Sequence, residues 1–221
     1  MPRFTRSLAL ASLLLFAAAP AFAEAGLYSY LRGGLTSSTL TGDVTGDPGD
    51  RRGMHLGLGV RFLATDTFGG LAELNYTQRG LTRKDDQNTQ AIGAESMTYA
   101  LNYWQLNMML HAGLPKIAGL RPALQAGGAI NFETAERLKI EGGPQAGETN
   151  PETMDSIDLT SMLGVNVDFG DDEDSHWFAD ARMEKSVMSI ADPLQFIGVD
   201  TPEIKNRTFL VSVGFKWRSG D

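Results

Sequence analysis

The sequence contains no cysteine. That excludes a disulfide framework, a thiolate nucleophile, a Cys-ligated metal and a lipid anchor on an N-terminal cysteine. Histidine is almost as scarce, with only His55, His111 and His176 in 221 residues. Positive charge is in deficit: 19 Lys+Arg stand against 27 Asp+Glu, a formal charge of −8. It falls to −10 once Arg3 and Arg6 leave with the leader described next. A chain this acidic is no partner for nucleic acid, and it holds no basic membrane-surface helix. Long apolar runs are absent beyond Leu8–Ala19, which falls short of the roughly 20 residues a membrane helix needs. With Arg3 and Arg6 before it and Ala21-Phe22-Ala23 after, that run reads as a secretory signal peptide, residues 1–23. Residues 24–221 then form one domain.

What the chain does have is a period of two. Met54, Leu56, Leu58, Val60 and Phe62 share one parity, and His55, Gly57, Gly59 and Arg61 the other. After Ala64-Thr65-Asp66-Thr67 the alternation resumes, with Ala72, Leu74 and Tyr76 against Glu73, Asn75, Thr77 and Arg79. Successive Cβ atoms of a strand point to opposite faces, so this is a hairpin with one apolar and one charged face. Six further alternating segments are predicted, near 27–36, 99–114, 122–138, 157–169, 177–187 and 208–217. A helical turn is placed in 147–154, and no other helix is expected after the leader.

Long polar connections, near Ser37–Arg52, Arg83–Ser96, Ile140–Asp155 and Ala191–Lys205, alternate with short turns near Asp66, Pro115–Gly119 and Asp171–Ser175. This pattern predicts an all-β fold: an eight-stranded antiparallel up-and-down transmembrane β-barrel with long outer loops and short periplasmic turns. Both termini are then periplasmic. The mean hydropathy of −0.17 is no obstacle, since only alternate residues face lipid. The opposite solution, a soluble periplasmic barrel of lipocalin shape with the apolar stripes inside, remains open on pattern alone. The direction of Phe209, Val211 and Val213 decides between them.

Some residues look familiar. Glu73-Leu74-Asn75-Tyr76 with Gly80, Tyr103-Trp104-Gln105-Leu106, Pro122-Ala123-Leu124-Gln125-Ala126-Gly127-Gly128, Asp180-Ala181-Arg182 and Ser212-Val213-Gly214-Phe215-Lys216-Trp217 occur in order. Together they resemble the outer-membrane β-barrel domain family of the PorT type, among the OmpA/OmpX-like eight-stranded barrels. The resemblance implies an outer-membrane location, contact with membrane lipid and lipopolysaccharide, and assembly by the barrel-insertion machinery. It implies no catalytic residue.

The candidate site is the barrel interior. Arg32, Arg61, Glu73, Arg79, Glu133, Asp180, Arg182, Glu184 and Lys216 carry inward parity, with Gln125 among them, and Asp158 and Asp168 join if they also face inward. Eight strands leave room for little more than side chains. Mixed charges held there are expected to pair into a structural network that plugs the lumen; the competing reading is a narrow pore. The function expected is non-enzymatic, either structural or adhesive or else accessory to a secretion apparatus, with the outer loops as the place where a protein partner could bind. A lipid A-modifying enzyme is the alternative, though no Ser/His/acid pattern surrounds a histidine. No cofactor or metal is expected, and Asp43, Asp47 and Asp50 read as solvated loop acids rather than a Ca²⁺ loop. Trp104, Trp177, Trp217, Tyr76 and Phe62 read as interface girdle residues. An arginine is expected to be tolerated better at Ser212 than at Val211.

Overall fold

The computed structural model describes residues 26–42, 49–84, 87–150, 157–170, 175–190 and 203–219. The strands are β1 Leu27–Gly42, β2 Gly49–Leu63, β3 Phe68–Lys84, β4 Ser96–Gly113, β5 Arg121–Glu141, β6 Gly147–Thr149, β7 Ile157–Phe169, β8 Ser175–Ser186 and β9 Ile204–Arg218. Each long strand pairs antiparallel with its neighbour, β5 pairs with β7, and β9 closes on β1. The ring therefore has eight strands. The three-residue β6 adds to the outside of β5 beyond the point where β7 begins. Closure removes the sheet edges that lipid could not satisfy.

The parity read from the sequence sets the facing. Val211 and Val213 are 49% and 57% exposed, while Leu210 and Ser212, alternating with them, are 1% and 2% exposed. Phe209 also points outward. The apolar stripes therefore cover the outside and the charges line the inside, the reverse of a lipocalin. Two rows of aromatics bound the outer apolar surface. Phe169, Trp177 and Phe215 lie in register across β7, β8 and β9, with Trp177 and Phe215 edge-to-face at 5.2 Å. Tyr76, Trp104 and Phe132 lie in register across β3, β4 and β5 toward the other rim. Rows of this kind sit at the two lipid–water interfaces.

The tight rim is made by local turn chemistry. Ala118 at φ 50° and Gly119 at φ 85° sit between the bridged pair Ile117 and Leu120, the double positive φ that a two-residue hairpin turn requires. Thr65 Oγ1 accepts the backbone N–H of Phe68 at 2.9 Å in the turn between β2 and β3.

At the other rim the strands run further than expected. Ser37–Gly42, Gly49–Arg52, Arg83–Lys84 and Lys139–Glu141 are strand, not loop. Beyond the membrane the outward face turns polar while Leu40 and Leu81 point inward, so the apolar stripe is broken while the backbone ladder continues. Two further expectations are corrected there. Gly147–Thr149 is strand rather than helical turn, because its backbone pairs with Leu138–Ile140. A five-residue helix, α1 Gln87–Ala91, lies between β3 and β4. The leader, Asp43, Asp47 and Asp171–Asp174 lie outside the described residues.

Large inward rings are matched by glycine on the neighbouring strand. A Cβ on Gly214 would come within 2.3 Å of the Phe178 ring and 2.5 Å of the Leu31 carbonyl. The backbone contact cannot give way as a side chain would. Gly214→Ala is therefore expected to destabilise the barrel by about 1–3 kcal/mol, measured as a lower urea midpoint for loss of heat-modifiable gel migration.

Candidate functional site: the charged lumen

β1, β3 and β8 bring four charges together at the middle of the lumen. Glu73 Oε2 lies 2.9 Å from Arg32 Nη2 and 2.6 Å from Arg182 Nη1. Asp180 Oδ2 lies 2.8 Å from Arg32 Nη1 and 2.7 Å from Arg182 Nη2. Two guanidiniums and two carboxylates thus alternate in a closed ring, with every side chain essentially inaccessible to water. The planar fork of arginine suits this role, since each one bridges both acids. Neutral donors complete the shell. The Tyr30 hydroxyl donates to Glu73 Oε1 at 2.6 Å, Asn107 donates to Glu73 Oε2 at 2.9 Å, and Ser212 donates to Asp180. Gly57 makes space, for a Cβ there would fall 1.8 Å from Asn75 Oδ1 and 3.3 Å from Arg32 Nε.

A second group lies toward the long-connection rim. Arg79 pairs with Glu184 and stands 3.6 Å from Asp158. Gln105 and Asn131 bond into the same cluster, and the Arg79 guanidinium lies 5.4 Å from the Tyr103 ring centre. An apolar cap of Leu40, Leu81, Leu101, Tyr103 and Ile190 covers it. A third group lies toward the tight rim, where Arg61 and Lys216 share Asp168. Asn166 accepts from Arg61 at 3.2 Å, and Lys216 lies over the Tyr28 ring.

In these three groups the buried ion pairs join five cations (Arg32, Arg61, Arg79, Arg182, Lys216) to five carboxylates (Glu73, Asp158, Asp168, Asp180, Glu184). Asp158 and Asp168 both face inward. Glu133 is half-buried, in register with Tyr103 and one residue before a bulge at Thr134. That extra residue shifts the parity, so Glu136 is buried at 5% while Arg137 is exposed. Glu136 and Arg83, also buried, were missed: the first by the bulge, the second because its segment reads as loop. The neutral members Tyr30, Asn75, Gln105, Asn107, Asn131 and Ser212 share the inward parity, which was the available signal.

The three histidines have separate hydrogen-bond partners. His55 Nδ1 lies 2.8 Å from Thr77 Oγ1, His111 lies against Gln125, and His176 Nε2 lies 3.0 Å from an Arg121 nitrogen. Asp50 accepts a hydrogen bond from Ser37 Oγ at 2.9 Å. Among the described residues no three His, Asp or Glu side chains gather as a metal site.

A closed ring of up-and-down strands with lipid-facing stripes, aromatic girdles and a polar filled interior defines an outer-membrane β-barrel protein. The chain belongs to the outer membrane protein beta-barrel domain family, which it matches over residues 8–216. The match is to this general family and does not distinguish the narrower PorT type. Among solved structures it is similar to the outer membrane protein OprG of Pseudomonas aeruginosa, at 12% identity and a TM-score of 0.51, covering 89% of this chain and 97% of that one. It is similar also to surface protein A of Neisseria, at 11% identity and a TM-score of 0.48, covering 86% and 97%. The protease OmpT of Escherichia coli matches at 10% identity and a TM-score of 0.45, covering 88% and 94%. At such identities the likeness is one of fold. No curated protein sequence matches the chain.

Proposed function

We propose that this protein is a non-conducting, non-enzymatic barrel whose work is done on its outer surface, as a structural or adhesive wall protein or an accessory to a secretion apparatus of the PorT type. The observation that carries the reading is the alternating ring of Arg32, Glu73, Arg182 and Asp180 across the lumen. Ions that pass a pore need a wet path lined by groups free to exchange partners. Here the side chains that could line it hold one another, and an eight-stranded interior has little width to spare. The lumen network is then a structural plug. Above it the β4–β5 hairpin continues to the Ser96–Glu141 pair and carries β6 and α1, offering a polar surface to a protein partner.

The test is planar-bilayer recording of the purified, folded protein. The expected result is a silent membrane, or brief steps far below those of a porin. A large, steady conductance would overturn the plug and make a pore the leading function.

The orientation follows the long and short connections, with residues 1–23 removed on export and residues 24–221 forming the barrel, both termini periplasmic. An epitope inserted after Gln145 is expected to label on intact cells, and one after Lys116 only after permeabilisation. Labelling at Lys116 on intact cells would reverse the orientation.

A further inference from the structure

On the outside of β7, β8, β9 and β1 the apolar surface ends abruptly. One row, in register, reads Leu163, Met183, Phe209 and Ser37. The next row toward the long-connection rim reads Ser161, Lys185, Arg207 and Thr39. Lys185 and Arg207 are directly opposed cross-strand neighbours, both exposed on the same face. Like charges in that relation repel. Neither makes an ion pair among the described residues. A shallow cavity of about 400 Å³ opens at the same place. Met183 and Phe209 supply its apolar lining, Arg207 and Asp50 one charge of each sign, and Ser37, Thr39 and Thr208 its hydroxyls.

We infer that this cavity, with Lys185 and Arg207 at its edge, binds the phosphate-bearing head of an outer-leaflet glycolipid. The chemistry fits each part. A phosphate between the two cations turns their repulsion into two charge-assisted contacts. The acyl chains continue down the Met183 and Phe209 surface into the apolar band. Asp50, already accepting from Ser37, lies on the β2 side and suits sugar hydroxyl donors rather than the phosphate. The inference rests on the proposed orientation, which puts this row in the outer leaflet, and on the outward facing of Phe209.

The experiment uses the folded protein in neutral detergent micelles. Binding is followed by intrinsic tryptophan fluorescence and thermal unfolding with lipid A, dephosphorylated lipid A, or inorganic phosphate added. Lipid A is expected to raise the unfolding temperature and dephosphorylated lipid A to raise it less. Inorganic phosphate at the same concentration should leave it unchanged. The double substitution Lys185→Gln with Arg207→Gln should weaken lipid A binding about thirtyfold and erase its preference over the dephosphorylated form. The control Lys139→Gln, on the β4–β5 extension, should change neither. Relief of repulsion makes an independent demand: without lipid A the double variant should unfold no lower than the wild type, and with lipid A it should unfold lower.

Equal responses to lipid A with and without phosphate would overturn the site, as would a double variant that keeps the preference. An effect reproduced by inorganic phosphate would also overturn it, marking a free-anion site. If the double variant does not fold, Arg207→Gln alone is read by the same criteria. Heat-modifiable migration in plain micelles reports barrel assembly and the epitope labelling reports orientation, so failure of the site is distinguishable from failure of either.

Discussion

Glu73→Ala is expected to lower the unfolding free energy of the barrel by about 3–5 kcal/mol, because it leaves buried charge uncompensated rather than merely deleting a contact. Glu73 is the hub of the central ring: both guanidiniums reach it, and Tyr30 and Asn107 donate to it. Without it Arg32 and Arg182 share Asp180 alone, in a site stripped of water. Coulomb repulsion between the two cations then falls on the same site that lost its anion. Glu73→Gln keeps the shape and loses the charge, so it should fall between wild type and alanine. Removing a cation along with the acid restores balance. Glu73→Gln with Arg182→Gln should therefore cost less than the two single changes added together, a coupling that a double-mutant cycle measures. The exposed pair Lys139–Glu141 is the control, and Glu141→Ala should leave the unfolding midpoint unmoved. Urea unfolding in lipid vesicles, followed by tryptophan fluorescence, reads all five variants. A loss below about 1 kcal/mol for Glu73→Ala, the range of exposed pairs, would mean that water reaches the ring and that the plug is open.

Within the membrane-spanning strands the facing of the side chains was legible in the sequence, and their partners were not. Parity alone puts Arg61 and Asp168 inside. That they meet depends on β2 and β7 standing across the lumen from one another, and on barrel stagger bringing their ends to one height. Ion pairing here crosses the interior between strands that are not neighbours, as Arg79 on β3 does to Glu184 on β8. The outer strand ends were illegible for a different reason. Thr39, Asp50 and Thr98 stand where the outward apolar stripe would continue, and Leu40 and Leu81 face inward instead, so no lipid-facing stripe marks a ladder that the backbone continues. The bulge at Thr134 added a third kind of failure, reversing the parity from which Glu136 would otherwise have been placed. Volume was the last. Inward parity made Ser212 look tolerant of arginine. The folded chain packs Ser212 at 2% exposure against Asp180, with the Gly34 backbone alongside, so Ser212→Arg has neither room nor a counter-ion to spare. Inward and tolerant are different properties in a barrel this narrow.

A clean test of the lipid face therefore contrasts depth on the outside rather than inside with outside. Val211→Arg should destabilise the inserted barrel by about 2–4 kcal/mol, and Ile157→Arg by about 0–1 kcal/mol, the difference being depth in the bilayer. Val211 is 49% exposed in register with Leu35 and Ala181, within the stripe from Phe209 to Trp217. That stripe spans about 26 Å along the strand at roughly 3.3 Å per residue, or about 20 Å of height at the ~40° tilt of such strands, most of an outer-membrane apolar band of ~25 Å. A guanidinium at Val211 starts inside the apolar band, one outward position below Phe209, and must pass that ring to reach the headgroups. Ile157 starts β7 beside Phe132 in the girdle row, where the head of an arginine can turn into the interface. Folding into vesicles, scored by heat-modifiable migration and urea midpoint, should rank wild type and Ile157→Arg close together and Val211→Arg well below. The same ranking should flatten in detergent micelles, whose apolar layer deforms around a charge more readily than a bilayer does. Equal loss at both positions in vesicles would falsify the depth assignment and move the membrane band along the barrel.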